Sequence, residues 1–176
     1  PYFKSENVMS GAFEVVKRLY GLNFKKLDNV QTWHDDVNVY EVLDEDHTHI
    51  GILYEDLFPR STKRGGAWMN PLRSQGMVNP NDICRPHISL TCNLTKPTEE
   101  KPSLLTYREV ETIFHEFGHC LHGLLSDRKY KRLSGTSVFW DFVELPSQIM
   151  ENWVGEEDAL ELFAHHYETG EVLPKE

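Results

Sequence analysis

The sequence of 176 residues lacks any run of 18 apolar residues, which is about the length that a helix needs to span a bilayer. It also lacks an amino-terminal leader in which a charged segment precedes an apolar one. Basic residues are scarce, with 18 Lys and Arg against 28 Asp and Glu, for a net charge of −10. Because binding to a phosphate backbone requires clustered Lys and Arg, we expect no nucleic-acid partner. Because a spanning apolar run is missing, we also expect no membrane partner and a chain that is soluble as given.

Cysteine is also rare. The three residues Cys84, Cys92 and Cys120 have neither the spacing of a disulfide framework nor that of a cysteine zinc site. We therefore expect reduced, partly buried thiols and a cytoplasmic location. The sequence has no internal repeat or low-complexity tract, and its first residue is Pro1 rather than Met, directly before a helical pattern. This start is typical of a piece of a longer protein.

The residues that are present predict one globular unit over residues 1–176, because 39% hydrophobic content can bury one sizeable core. Helical periodicity after a Ser5 N-cap predicts a helix that ends at Gly21. Residues 37–55 place β-branched and aromatic residues on both sides of DEDH, which predicts a hairpin. The strict alternation in HISLTCNL, residues 87–94, predicts a half-buried strand.

The second half of the sequence is expected to be helical. Thr106 and Glu109 form a capping box before an apolar stripe, and helical patterns return over 141–153 and 156–167. The order is a helix, a small sheet and three helices. We therefore predict an α+β fold, mainly helical, whose small and largely antiparallel sheet lies beside the helix that starts after Thr106.

That helix carries the strongest chemical pattern in the sequence. In TIFHEFGHCLHGLL, residues 112–125, His115, Glu116 and His119 form the motif H-E-x-x-H. With 9 His and 18 Glu in the chain, roughly 0.05 such matches arise by chance, so the motif needs support from its context. Residues four apart lie on one helix face, where two imidazoles can bind one ion while the glutamate reaches its water. The spacing is typical of a zinc peptidase site with Glu116 as general base.

A catalytic zinc site needs a third protein ligand. The segment DFVELPSQIMENW offers three acids, Asp141, Glu144 and Glu151, and Glu144 is flanked by apolar residues on both sides. A carboxylate in apolar surroundings is costly to bury unless it is paired or bound to a metal, which favours Glu144. An ordinary, partly exposed helix acid fits the same pattern.

Six segments that cover nearly the whole chain occur in the same order in one known family: ILYEDLFPR, KRGGAWM, TCNLTKP, PSLLTYREVETIFHEFGHCLHGLL, LSGT and DFVELPSQIMENW. By these segments the chain resembles the thimet oligopeptidase-like zinc metallopeptidases, which include oligopeptidase A and the peptidyl-dipeptidases. The resemblance implies zinc-dependent hydrolysis of short peptides, either as an oligopeptidase or as a peptidyl-dipeptidase. It also implies that His115, His119 and Glu144 bind zinc and that Glu116 is the base.

Members of this family are several times longer, and they carry, downstream of the zinc segment, a His and a tyrosine-rich stretch that stabilise the oxyanion. Residues 156–176 contain no such stretch, and we expect His165, His166 and Tyr167 on the surface of an ordinary helix. Loss of one oxyanion donor commonly costs about 10²- to 10³-fold in kcat. We therefore expect this piece of the protein to be nearly inactive by itself.

Several residues have two interpretations. His122 either faces the cleft or is a surface or core histidine, while Glu111 and Asp141 either orient a ligand imidazole or are exposed acids. Gly118 allows close packing, and Gly135 is a possible hinge. The segments RGGAW and HISLTCNL either border a cleft in which a peptide adds as a strand or are ordinary core strands.

Two alternatives to the enzyme remain on the sequence alone. One is a binding module organised by a closed, four-ligand zinc site, and the other is a scaffold without metal.

Overall fold

The computed structural model describes residues 1–79 and 82–174. This part of the chain forms four α-helices, namely α1 (Ser5–Tyr20), α2 (Tyr107–Leu124), α3 (Leu145–Glu151) and α4 (Glu157–Phe163). It also forms seven strands, namely β1 (Asn23–Lys26), β2 (Asn38–Leu43), β3 (His49–Asp56), β4 (Trp68–Arg73), β5 (Gly76–Asn79), β6 (Asp82–Cys84) and β7 (His87–Thr91). Short 3₁₀ turns occupy Lys131–Leu133 and Asn152–Val154. The predicted α+β class and element order are confirmed. None of the helices described here is long and apolar enough to cross a bilayer.

The main sheet has the strand order β1-β2-β3-β7-β4, and β5 and β6 form a separate ribbon. Strands β3 and β7 pair in parallel, whereas the other neighbours in the main sheet pair antiparallel. The sheet is therefore mixed. The predicted hairpin is confirmed as β2 and β3, whose turn is closed by a hydrogen bond from Asp44 N to Thr48 O (2.9 Å).

Strand β7 differs from the prediction because both of its faces are buried. Ile88 and Leu90 are in the core, and Ser89 and Thr91 on the other face are also buried. The alternating sequence predicted only one buried face. The polar face is tolerated because β7 lies between two strands, where Ser89 donates a hydrogen bond to Asn70 O on β4 (3.2 Å).

The N-cap residue of helix α1 lies one position before the predicted N-cap, Ser5. Lys4 occupies the N-cap position without a side-chain hydrogen bond, and Ser5 is already helical and buried. The Ser5 N–H is instead satisfied by the backbone oxygen of Ser103 (3.0 Å), so a neighbouring segment caps the helix. The predicted end is confirmed, since Gly21 has φ +74°, in the left-handed region that glycine adopts without strain.

The core joins α1, α2 and the sheet. Its largest fully buried side chains include Phe114, Phe117 and Phe163. Phe117 on α2 lies 5.6 Å, between ring centroids, from both Phe13 on α1 and Phe24 on β1. The α2 backbone also approaches β7 closely, because a Cβ placed on Gly123 would lie 2.8 Å from Ile88 Cδ1. All three cysteines are unpaired, and Cys92 and Cys120 are buried in this core.

The last two helices are shorter than predicted. Helix α3 begins at Leu145 rather than at Asp141, because Pro146 has no N–H to donate to a preceding turn and is therefore suited to the first turn of a helix. Helix α4 ends at Phe163 rather than at Tyr167, and the chain then turns back so that His166 N donates to Glu171 O (2.7 Å).

Candidate metal centre

Helix α2 begins at the predicted capping box. Glu109 N donates to Thr106 Oγ1 (3.3 Å), and Thr106 N donates to Glu109 Oε2 (2.8 Å). This reciprocal pair satisfies backbone donors that the first turn of a helix otherwise leaves free. The helix then continues for 18 residues, with His115, Glu116 and His119 in its middle.

A glycine on α2 brings the third acid within range of the histidines. A Cβ on Gly118 would lie 2.6 Å from both Pro146 O and Ser147 Cα, so only glycine lets the start of α3 pack this closely. Glu144 occupies the residue directly before α3. Its carboxylate accepts a hydrogen bond from Ser147 Oγ at Oε2 (2.7 Å), which lowers the pKa of Glu144 from its usual value.

The three predicted ligand side chains converge. His115 Nε2 and His119 Nε2 lie 3.3 and 3.1 Å from the same oxygen, Glu144 Oε2, and one ligand atom from each residue lies within 4.8 Å of the others. Ligand atoms held tetrahedrally at about 2.0–2.1 Å from zinc are about 3.3–3.4 Å apart. The spacing of these side chains therefore fits one metal ion between them.

A second acid orients the ring of His115. Its Nδ1 donates to Glu151 Oε1 (2.5 Å), which fixes the ring proton on that side. The Nε2 atom on the other side of the ring faces the Glu144 carboxylate. Burial lowers the pKa of His119 and so favours its neutral form, which is the form that binds a metal.

Glu116 lies beside this cluster without joining it. It is buried, and burial raises the pKa of its carboxyl group, while the Met69 backbone N–H donates a hydrogen bond to it. Glu116 and the three ligand side chains line one open cleft of about 340 Å³ between β4 and the segment before α3. A buried carboxylate in such a cleft has the position that a proton acceptor requires.

Glu151 contacts the ligand cluster although the sequence left it without a role. Orientation of a ligand imidazole was one of two interpretations of Glu111 and Asp141, the other being exposed acids. Asp141 is exposed in the turn before α3, and Glu111 lines a second hollow that also contains His115. The contact with His115 comes from Glu151 instead. A spacing of seven residues, two helical turns, places Glu151 on the same side as Glu144, and this regularity was readable from the sequence.

The remaining histidines lie outside the cleft. His122 lines a different cavity and packs against Phe142, with 6.1 Å between ring centroids. His165, His166 and Tyr167 follow α4 rather than extending it, and none of them lines the cleft. Gly135 has φ +57°, and a Cβ placed on it would lie 3.1 Å from Gly123 Cα. It holds the loop against α2 in this structure.

Comparison with known proteins matches the whole chain to one peptidase family. The model of peptidase family M3 matches residues 1–176. Oligopeptidase A of Escherichia coli (strain K12) is 48% identical over all of this chain and 26% of its own length. Dipeptidyl carboxypeptidase of Salmonella typhimurium is 41% identical over 99% of this chain and 25% of its own length. Saccharolysin of Saccharomyces cerevisiae is 39% identical over 99% of this chain and 26% of its own length.

The chain thus spans about a quarter of the length of these relatives, and the similarity covers it from end to end. The resemblance that the sequence segments indicated is confirmed. The chain belongs to peptidase family M3.

Proposed function

We propose that this chain carries the metal-binding and proton-transfer groups of a zinc peptidase that hydrolyses short peptides. His115, His119 and Glu144 bind the ion, and Glu116 is the general base. The observation that carries the proposal is the convergence of three ligand atoms within 4.8 Å of one another, in a cleft that also contains a buried glutamate. The names of the relatives, oligopeptidase A and dipeptidyl carboxypeptidase, support the reaction class.

The set of donors supports zinc. Two imidazole nitrogens and one carboxylate are ligands that zinc accepts at a catalytic site, with one position left for water or substrate. A zinc ion bound there lowers the pKa of a coordinated water to about 7 and polarises a carbonyl group. Among the described residues, the group contains three ligands rather than four, which favours an enzyme over a closed structural zinc site.

The protein's own groups supply the proton transfers. Glu116 accepts a proton from the attacking water and donates it to the leaving amine, so that the amine departs neutral. Glu151 holds the proton of His115 on Nδ1 and so keeps the Nε2 lone pair directed at the ligand cluster. Each step uses a side chain that is already oriented before substrate binds.

Strand β4 gives the peptide a place to bind. It is an edge strand of the main sheet, and Trp68 and Met69 at its start line the cleft. An extended peptide that pairs with such an edge is held by main-chain hydrogen bonds, which do not depend on its sequence. Short peptides are therefore the proposed substrates. Separately, the unpaired cysteines support the expected cytoplasmic location.

Replacement of Glu116 tests the proposal in the full-length protein. Glu116→Gln keeps the shape of the side chain but removes the proton acceptor, so peptide turnover should fall at least about 100-fold while bound zinc is unchanged. The matched control is Glu99→Gln, an exposed loop acid, which should leave turnover unchanged. Retention of more than about a hundredth of the parental rate in Glu116→Gln excludes Glu116 as the base.

A further inference from the structure

One large aromatic side chain in the cleft is almost fully exposed. Trp140 is 92% exposed, although a tryptophan is on average one of the more buried residues. It lines the same cleft as the metal-binding cluster. Within the described ranges, 1–79 and 82–174, no aromatic ring or cation stacks on it.

The other tryptophan that lines the cleft already has a partner. Trp68 at the start of β4 also lines the cleft, but the guanidinium of Arg64 lies 5.5 Å from the centre of its ring. A cation over an aromatic face is a favourable contact that already satisfies that face. Among the described residues, Trp140 is therefore the cleft tryptophan with no ring or cation on its face.

The walls of the cleft carry no charge. Apart from the floor, which is formed by the ligand cluster and Glu116, the lining side chains are Ala67, Trp68, Met69, Thr136, Trp140 and Val143. An acidic side chain of a bound peptide would find no basic partner among these lining residues, whereas an apolar one would bury surface against Trp140.

The backbone presents Trp140 at a fixed place relative to the metal cluster. Tight turns surround it, with hydrogen bonds from Phe142 N to Phe139 O (3.0 Å) and from Leu145 N to Phe142 O (3.0 Å). The same turns lead directly to Glu144, four residues after Trp140. Because Trp140 and the ligand cluster line one cleft of about 340 Å³, a side chain that contacts Trp140 belongs to a peptide residue close to the bond that is cut.

We propose that Trp140 determines substrate specificity by stacking on an aromatic or large apolar side chain of a peptide residue that flanks the scissile bond. This inference rests on the proposed peptidase function and deepens it. The substrate class is then short peptides with such a residue beside the cleaved bond, in preference to peptides with a small or acidic residue there.

Paired substrates test the inference in the zinc-loaded, full-length protein. Two pairs of quenched fluorescent peptides each differ by Phe or Ala, one pair on the amino side of the scissile bond and the other on the carboxyl side. Trp140→Ala should lower the ratio of kcat/KM for the Phe peptide to that for the Ala peptide roughly 10-fold in one pair. Trp140→Phe should retain most of the ratio.

Phe139→Ala is the matched control, because Phe139 is 87% exposed, adjacent in sequence and absent from the cleft lining. It should leave both ratios unchanged. Unchanged ratios in Trp140→Ala, or an equal loss of activity towards Phe and Ala peptides, overturn the specificity role while leaving the peptidase intact. Failure of the parental protein to cleave any of the four peptides instead overturns the proposed function on which the inference rests.

Discussion

The contact between Glu151 and His115 predicts a measurable effect on metal affinity. Glu151→Ala removes the acceptor that lies 2.5 Å from His115 Nδ1. The His115 ring then loses the partner that holds its proton on Nδ1 and its orientation towards Glu144. The three side chains of the ligand cluster are left chemically unchanged, so the substitution tests orientation alone.

The size of the effect follows from the kind of contact. A hydrogen bond to a charged group contributes about 1.5–3 kcal/mol, and the Glu151 side chain is 39% exposed, which places this one in the lower part of that range. Loss of such a partner of a metal ligand typically weakens metal binding about 10- to 100-fold. A 10-fold change corresponds to about 1.4 kcal/mol, so the two ranges agree.

Competition with a chelator measures the zinc affinity of the full-length parent and of each variant. Asp141→Ala is the matched control, since Asp141 is an exposed acid ten residues earlier in the same segment. Glu151→Gln should recover part of the affinity, because its amide oxygen still accepts a hydrogen bond. Equal zinc affinities for Glu151→Ala and Asp141→Ala would refute the reasoning.

Two further predictions concern the stability of the full-length protein. Gly118→Ala should lower the free energy of unfolding by about 1–3 kcal/mol, because its Cβ would lie 2.6 Å from the α3 backbone. The control Gly65→Ala should change this free energy by less than about 0.5 kcal/mol, because its Cβ would have nothing within 4 Å. Equal urea midpoints for the two variants contradict this packing. Burial raises the pKa of Glu55 above its usual 4.5, so the folded state holds the proton more tightly and the parental protein should lose stability as pH rises beyond that value. Glu55→Gln should show a flatter dependence of unfolding free energy on pH, and identical slopes in the two proteins contradict the assignment.

Local patterns were sufficient to predict α2 and its cap. The capping box of Thr106 and Glu109 depends on residues three apart, and H-E-x-x-H depends on residues four apart, so both follow from helix geometry alone. The hairpin of β2 and β3 was predictable for the same reason, since its strands are joined by a short turn. The segments that resemble family M3 added what no local pattern supplies, the identity of the family.

Contacts between distant segments were not predictable in this way. The parallel pairing of β3 with β7 joins strands that are separated by the whole of β4, β5 and β6, and no local pattern encodes it. The buried polar face of β7 is a consequence of that central position. The cap of α1 is likewise supplied by Ser103, almost a hundred residues away in sequence.

The start of α3 was predictable but was placed wrongly. Apolar periodicity suggested a helix from Asp141, although Pro146 is a strong indicator of a first helical turn. The difference matters chemically, because Glu144 therefore lies at the end of a turn rather than inside a helix. From that position its carboxylate reaches both histidines, while Glu151 reaches His115 from within α3.

The zinc affinity of Glu144→Ala in the full-length protein tests most directly whether the cluster on α2 and α3 holds the metal. The parental protein should bind one zinc ion per chain, and Glu144→Ala should weaken that binding by more than the roughly 10- to 100-fold expected for Glu151→Ala, because a ligand is lost rather than its support. Asp141→Ala should bind zinc as the parent does. Equal zinc affinities for Glu144→Ala and Asp141→Ala would contradict the assignment of Glu144 as the third ligand.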